Sequence, residues 1–232
     1  MNFNWNKDTI RWYREADAYT GFFQNIAGLI APRLRDFTTF CDIGCGIGLI
    51  DLALSKYIDS ITCVDINEAA IQELQKSIKE QGITNIRTKL VDCNQLDQNW
   101  DIICVSFFGG RDFIKFLPLC KKLIAVVSKK NQTELIPAKN RSFQKTTVEE
   151  TEQLLLESGI RYTLTEGSFE FGQPLVSRED AEKFVKTHSP HTSSAEVTEF
   201  LAHRLVETGE TPYPFFIPRM KSVGIFEIEG GV

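Results

Sequence analysis

The sequence predicts an α/β protein, a mostly parallel sheet covered by flanking helices, and two observations point to it. Apolar, β-rich runs alternate with runs of helical period, the pattern of strands joined by crossover helices. At the first such junction, "TTFCDIGCGIGLIDLAL" (residues 38–54), three alternating glycines mark the change from a β-like run to a helix-like one. A chain of 232 residues with 42% hydrophobic content can close one sizeable core, so a single domain over 1–232 is expected.

The chain opens with a helical segment over residues 1–35. Trp12, Ala16, Tyr19 and Phe23 recur at helical spacing, and Phe23, Ile26, Ala27 and Ile30 continue the same apolar face. That face either docks on the sheet or also lids a pocket. The strands expected next are "FTTFCDIG", "SITCVDI", "NIRTKLVD", "WDIICVSFF" and "KKLIAVVSK". Between the first two, Ile50, Ala53, Leu54 and Tyr57 fall at helical spacing; Ile71, Leu74 and Ile78 do so before Gly82, a helix stop. Thr147 with Glu150 three residues on forms a capping-box pattern, opening a helix that ends near Gly159. Two late runs, "IRYTLTEGSFEF" and "RMKSVGIFEIE", read as strands. Between them, residues 172–218 form an insert with two helical pieces, "SREDAEKFVKTH" and "SAEVTEFLAHRLVET", followed by the stiff "TPYPFFIP".

Composition narrows the function classes. No apolar run approaches the ~20 residues needed to cross a bilayer, and the N-terminus lacks the apolar core of a secretory signal, so a soluble, cytoplasmic protein is expected. The six cysteines form no CxxC pair, which argues against a zinc site or a disulfide framework and for buried thiols. His188 and His191 have a proline between them and no further ligand nearby, so no metal is expected. The net charge of −5 disfavours a dedicated nucleic-acid binder, although residues 129–145 are locally basic and RNA is not excluded.

The glycine spacing decides the ligand class. A dinucleotide fingerprint needs glycine at position 49, which is Leu49, and no lysine followed by Ser or Thr makes a P-loop. The pattern is D-x-G-x-G-x-G, from Asp42 through Gly44, Gly46 and Gly48. With an acid before the turn and no cationic phosphate ligand in it, the site suits a nucleoside with a cationic tail.

This stretch resembles motif I of the class I S-adenosylmethionine-dependent methyltransferases. The resemblance implies a seven-stranded sheet with an antiparallel last strand, S-adenosylmethionine as donor and S-adenosylhomocysteine as product. It further implies that Asp65, at the end of "CVDINEAAI", holds the ribose hydroxyls, and that Asp92, in "KLVDCNQL", faces the adenine amino group. Ile66 and Ser106 complete the expected donor contacts, with Cys45 and Cys93 as small space-filling neighbours. Where the family's base- and glutamine-methylating branches have Asn-Pro-Pro-Tyr or Asp-Pro-Pro-Tyr, this chain has Ser106-Phe107-Phe108-Gly109, which argues against those branches. No catalytic base stands out. The expected acceptor contacts are Tyr13, Tyr19, Phe107 and Phe108, the last two being equally consistent with core packing at a strand end, while Arg11 and Arg14 either pair with an anionic acceptor or are solvated on the helix surface. The expected activity is methyl transfer to a small molecule; RNA or protein acceptors, and a non-catalytic donor-binding regulator, are the alternatives. The sequence assigns no oligomeric state.

Overall fold

Strands form where β-branched and aromatic residues run without a helix breaker. The computed structural model describes residues 3–108, 112–130, 134–137 and 146–231. The strands are β1 (Thr39–Ile43), β2 (Ser60–Asp65), β3 (Ile86–Leu90), β4 (Trp100–Ser106), β5 (Cys120–Ser128), β6 (Tyr162–Glu170), β7 (Gln173–Leu175), β8 (Val206–Glu207), β9 (Phe215–Ile217) and β10 (Met220–Glu229). The helices are α1 (Lys7–Thr20), α2 (Phe22–Ile30), α3 (Leu49–Leu54), α4 (Glu68–Glu80), α5 (Val148–Glu157), α6 (Arg178–His188) and α7 (Ser194–Arg204). Seven strands make one sheet in the order β3-β2-β1-β4-β5-β10-β6. β10 runs antiparallel to both its neighbours, and β1 to β5 are mutually parallel along the ladder. The order reverses between β1 and β4, and ligands of open α/β sheets bind beyond the carboxyl ends of the strands at such a point.

Side chains of alternate parity fill two layers. One face packs Phe40, Ile61, Ile102, Ile124 and Val223 under α2 and α3, and the other packs Ile43, Val64, Ile103 and Phe226 with Val148 and Leu155 of α5. Two caps are as expected: Thr147 and Glu150 close the capping box of α5, and Gly82 follows α4 with φ 63°.

Four local differences have physical causes. The N-terminal helical face is interrupted at Gly21, whose left-handed backbone (φ 67°) ends α1 and turns the chain into α2. Tyr57 lies beyond α3 and is exposed. The second helix of the insert stops at Arg204, because Val206–Glu207 pair with β9 instead. Finally, β7, β9 and β8 form a small antiparallel sheet that runs of two or three residues leave invisible to periodicity. This sheet and helices α6 and α7 build a third apolar cluster around Leu175, Phe184, Val185 and Ile217, and Trp12 of α1 is part of it.

Candidate active site

The turn after β1 is held by β2. The amides of Gly44 and Cys45 donate to the Val64 carbonyl at 2.8 and 3.1 Å, and the Gly46 amide donates to Asp65 Oδ2 at 2.8 Å. Gly46 and Gly48 have φ of 56° and 68°, which L side chains rarely adopt. Space is equally tight: a Cβ on Gly48 would lie 2.5 Å from Leu74 Cδ1, and one on Gly46 2.8 Å from the Trp5 ring. Asp65 does not cap α4. That cap is Asn67, which accepts from the Ala70 amide, while Asp65 Oδ1 accepts from the Asn67 amide at 2.8 Å. Both carboxylate oxygens therefore hold backbone at the strand end, next to Ile66, whose side chain is 54% exposed.

Asp42 occupies a different place from the one expected of a ligand-facing acid. The strand's period of two puts it on the same face as Phe40, in register with Cys63 and Cys104, beneath α3. There it meets Asp51, and the two are 1% and 0% exposed. Among the described residues no hydrogen-bond donor reaches Asp42 Oδ1 or either oxygen of Asp51. Burial, then the charge of Asp51, pushes the Asp42 carboxyl well above the ordinary range, and burial raises Asp51 as well. Two carboxyls so placed retain a proton between them.

Asp92 is exposed and caps the short turn Cys93–Gln95 by accepting from the Asn94 amide at 2.9 Å, with Cys93 half-buried beside it. At the end of β4, Ser106 is partly exposed, and Phe107 has φ 50°, a left-handed backbone uncommon outside glycine. Phe107 and Phe108 part to opposite faces. Phe107 joins the layer under α2, while Phe108 joins the other layer and lies 2.8 Å from where a Gly44 Cβ would be. Gly109 lies outside the described residues, as does most of the basic stretch 129–145.

The N-terminal elements close the site from above. Trp5 rests on Gly46 and meets Tyr13 edge-on at 5.3 Å; Tyr13 in turn meets Phe171 edge-on at 5.7 Å. Tyr13 therefore sits within the aromatic layer, its hydroxyl pKa raised by burial. Tyr19 stands apart: it donates to Glu210 at 3.1 Å and packs on Phe216 of the insert. Arg11 and Arg14 are engaged within the chain, Arg11 with Glu15 and Asp180 and Arg14 with Glu73. They tie the cover to the insert and to α4. His188 packs among Phe3, Trp12 and Phe184, and among the described residues no group of three metal-ligating side chains gathers.

Trp5, Asp51, Phe171 and Lys221 join the site without having been expected there. Lys221 did carry a signal: period two in "RMKSVGIFEIE" places it in line with Val223 and Ile225, both fully buried.

These residues suit an S-adenosyl donor. The glycine turn gives close approach to backbone, Asp65 stands at the adjoining strand end, and the half-exposed Ile66 offers an apolar surface beside it. Comparison with known proteins agrees. A model described as a methyltransferase domain matches residues 40–124. Acetylaranotin bis-thiomethyltransferase of Aspergillus terreus is 28% identical over 103 residues, which are 40% of this chain and 37% of that protein, so little more than a third of the relative's length is matched. Among solved structures, YcgJ of Bacillus subtilis aligns with a TM-score of 0.54 at 17% identity, covering 89% of this chain and 98% of that one. Coclaurine N-methyltransferase, bound to N-methylheliamine and S-adenosylhomocysteine, aligns with a TM-score of 0.52 at 12% identity, covering 89% and 72%. Its strand order and glycine turn give the chain the fold of the class I S-adenosylmethionine-dependent methyltransferases, and residues 40–124 match the methyltransferase-domain model.

Proposed function

We propose that the protein transfers a methyl group from S-adenosylmethionine to a small-molecule acceptor. The observation that carries this reading is the cover: Trp5 and Tyr13 roof the glycine turn, and α1 is anchored on one side to Asp180 of the insert and on the other to Glu73 of α4. A roof so fixed favours a metabolite over a polymer as acceptor. The named relatives support the reading, since a thiomethyltransferase of acetylaranotin and a coclaurine N-methyltransferase both have small molecules in their names.

The bound donor supplies an electrophilic methyl on a sulfonium, displaced in line by an acceptor lone pair. The chain's contribution is to hold the acceptor close and aligned, a contribution that reaches about 7–11 kcal/mol in well-oriented reactions. Gly44, Gly46, Asp65, Ile66 and Asp92 are the proposed donor contacts, and Phe107 and Tyr13 the proposed acceptor walls. Buried free thiols at Cys41, Cys63, Cys104 and Cys120 fit a reducing cytoplasm.

The test has two stages. S-adenosylmethionine and S-adenosylhomocysteine should raise the melting temperature while NAD and ATP do not. Labelled methyl should then pass to a metabolite extract. Stabilisation by NAD, or transfer confined to RNA or protein, would overturn the proposal.

A further inference from the structure

Asp65 and Asp92 stand at neighbouring strand ends. β2 and β3 pair as far as Asp65 and Leu90, and just beyond them the Val91 amide donates to the Asp65 carbonyl at 3.1 Å. The acid proposed for the ribose and the acid at the base end therefore share one rim of the sheet. Two nitrogen donors converge on a single oxygen of Asp92. The Asn94 amide N–H reaches Oδ1 at 2.9 Å, and the Asn94 side-chain Nδ2 reaches the same atom at 2.8 Å. Among the described residues no nitrogen donor falls on Oδ2. The Cys93 thiol, its pKa raised by burial, stays protonated and is a weak donor to the same carboxylate, which has lone pairs to spare.

The Asn94 side chain is itself oriented from its far side. Lys115 Nζ donates to Asn94 Oδ1 at 2.7 Å, a contact across 21 residues of sequence. Lys115 belongs to the 3-10 segment Ile114–Leu119 that leads from β4 into β5. Phe113 and Phe116, each 2% exposed, pin that stretch to the core, and the Lys115 ammonium lies 5.2 Å from the Phe116 ring centroid. An ammonium only donates and a carboxylate only accepts. The amide between them satisfies both in one orientation alone, oxygen toward Lys115 and nitrogen toward Asp92; turned over, it would set its NH2 against the ammonium and its oxygen against the carboxylate. Asp92, Asn94 and Lys115 are all exposed, and exposed pairs of this kind add little to stability. What the relay does is hold one carboxylate still.

We propose that Asn94 and Lys115 are positioning residues that fix the Asp92 carboxylate, with Oδ2 toward the base, so that the donor site selects adenine over a 6-oxo purine. Adenine presents an amino group at this edge, a donor that a carboxylate oxygen accepts. Hypoxanthine presents a carbonyl in the same place, and two acceptors repel. A carboxylate free to turn could reach the neighbouring N1–H of hypoxanthine instead; one held through Oδ1 cannot follow it. A site built to hydrogen-bond one group discriminates strongly against an analogue that lacks it. The inference rests on the S-adenosyl donor reading above, with Asp92 as its base contact, and names the residues that act through Asp92.

The test is calorimetric titration of the full-length protein with S-adenosylhomocysteine and with S-inosylhomocysteine. Wild type should bind the adenosyl compound roughly tenfold tighter or more. Asn94→Ala keeps the backbone donor to Asp92 and loses the side-chain one, so the preference should shrink roughly threefold or more. Lys115→Met should shrink it in the same direction, while Lys115→Arg, which still donates to Asn94, should keep most of it. Asp92→Asn is the sharper variant. Its Oδ1 remains the acceptor for the two Asn94 donors, which turns its own NH2 toward the base, and the preference should invert to favour the inosyl compound. Equal binding of the two compounds by wild type, an equal loss of affinity for both in Asn94→Ala and Lys115→Met, or an adenosyl preference retained in Asp92→Asn would overturn the proposal. Failure of S-adenosylhomocysteine to bind wild type would overturn the donor reading and this inference with it, whereas binding with a preference indifferent to the variants overturns the inference alone.

Discussion

At the scale of single residues, the carboxylates divide by what their oxygens meet. Asp65 accepts from the Gly46 and Asn67 amides, one through each oxygen, so Asn in its place keeps a single acceptor and loses the charge. Because Asn67 makes the cap of α4, Asp65→Asn should fold with a stability loss of only about 1–2 kcal/mol. Its affinity for S-adenosylhomocysteine, measured by calorimetric titration, should fall roughly tenfold or more; unchanged affinity would remove Asp65 from the donor site. Asp42 and Asp51 behave oppositely. Their carboxyls are raised by burial and keep a proton in the folded chain that the unfolded chain releases above about pH 4. The folded state then binds more protons, and stability declines as pH rises above that value until the pair ionises. Asp51→Asn gives Asp42 an amide donor and removes one titrating carboxyl. It should raise stability at pH 8 by about 1–3 kcal/mol, with a gain that shrinks toward pH 4. Melting curves that fall with pH equally in variant and wild type would refute the shared proton.

At the scale of elements, the cover is the part whose role changed most on going from sequence to structure. Its apolar period was legible, and Phe22, Phe23, Ile26 and Ile30 do pack into the layer over the sheet. What periodicity along a single helix could not give was the break at Gly21 and the turning of Trp12 into the insert's own cluster. Trp5 was also missed, because it precedes α1 and belongs to no periodic run. Trp12 and Trp100 are 1% and 4% exposed, so of the three tryptophans Trp5 alone stands at the glycine turn with its ring open to change. Addition of S-adenosylhomocysteine should therefore alter the intrinsic fluorescence, and Trp5→Phe should erase most of that response. Trp5→Ala should release the ligand at least fivefold faster in stopped-flow displacement, as expected of a lid residue. A fluorescence response preserved in Trp5→Phe would show that the lid does not move with the donor.

For the whole molecule, the legible parts were those written in local pattern. The seven strands of the large sheet, the turn at Gly44 to Gly48 and the acids at the strand ends follow from alternation, glycine spacing and position. Hidden parts depend on contacts between distant segments. Phe171 and Lys221 come together only because β6 and β10 pair, and β7 finds β9 across the 39 residues, 176–214, that separate them. Trp12 is the point where these distant parts join. It meets Phe184 edge-on at 5.2 Å, donates to Asp180 at 3.1 Å, and its carbonyl accepts from Gln173 at 3.2 Å, while α2, one turn away along the chain, is buried in the main layer. If α1 couples the insert to the sheet, wild type should unfold in one transition, with tryptophan fluorescence and far-ultraviolet circular dichroism giving the same midpoint. Trp12→Ala should lower stability by about 3–5 kcal/mol, the cost of removing a buried aromatic ring. Loss of the ring also removes a donor from Asp180, but Arg11 still holds that carboxylate, so the cover should remain attached and the transition single. Two separated transitions in wild type, or a variant that loses only its insert while the sheet melts as before, would show instead that the insert is an independent unit placed beside the site.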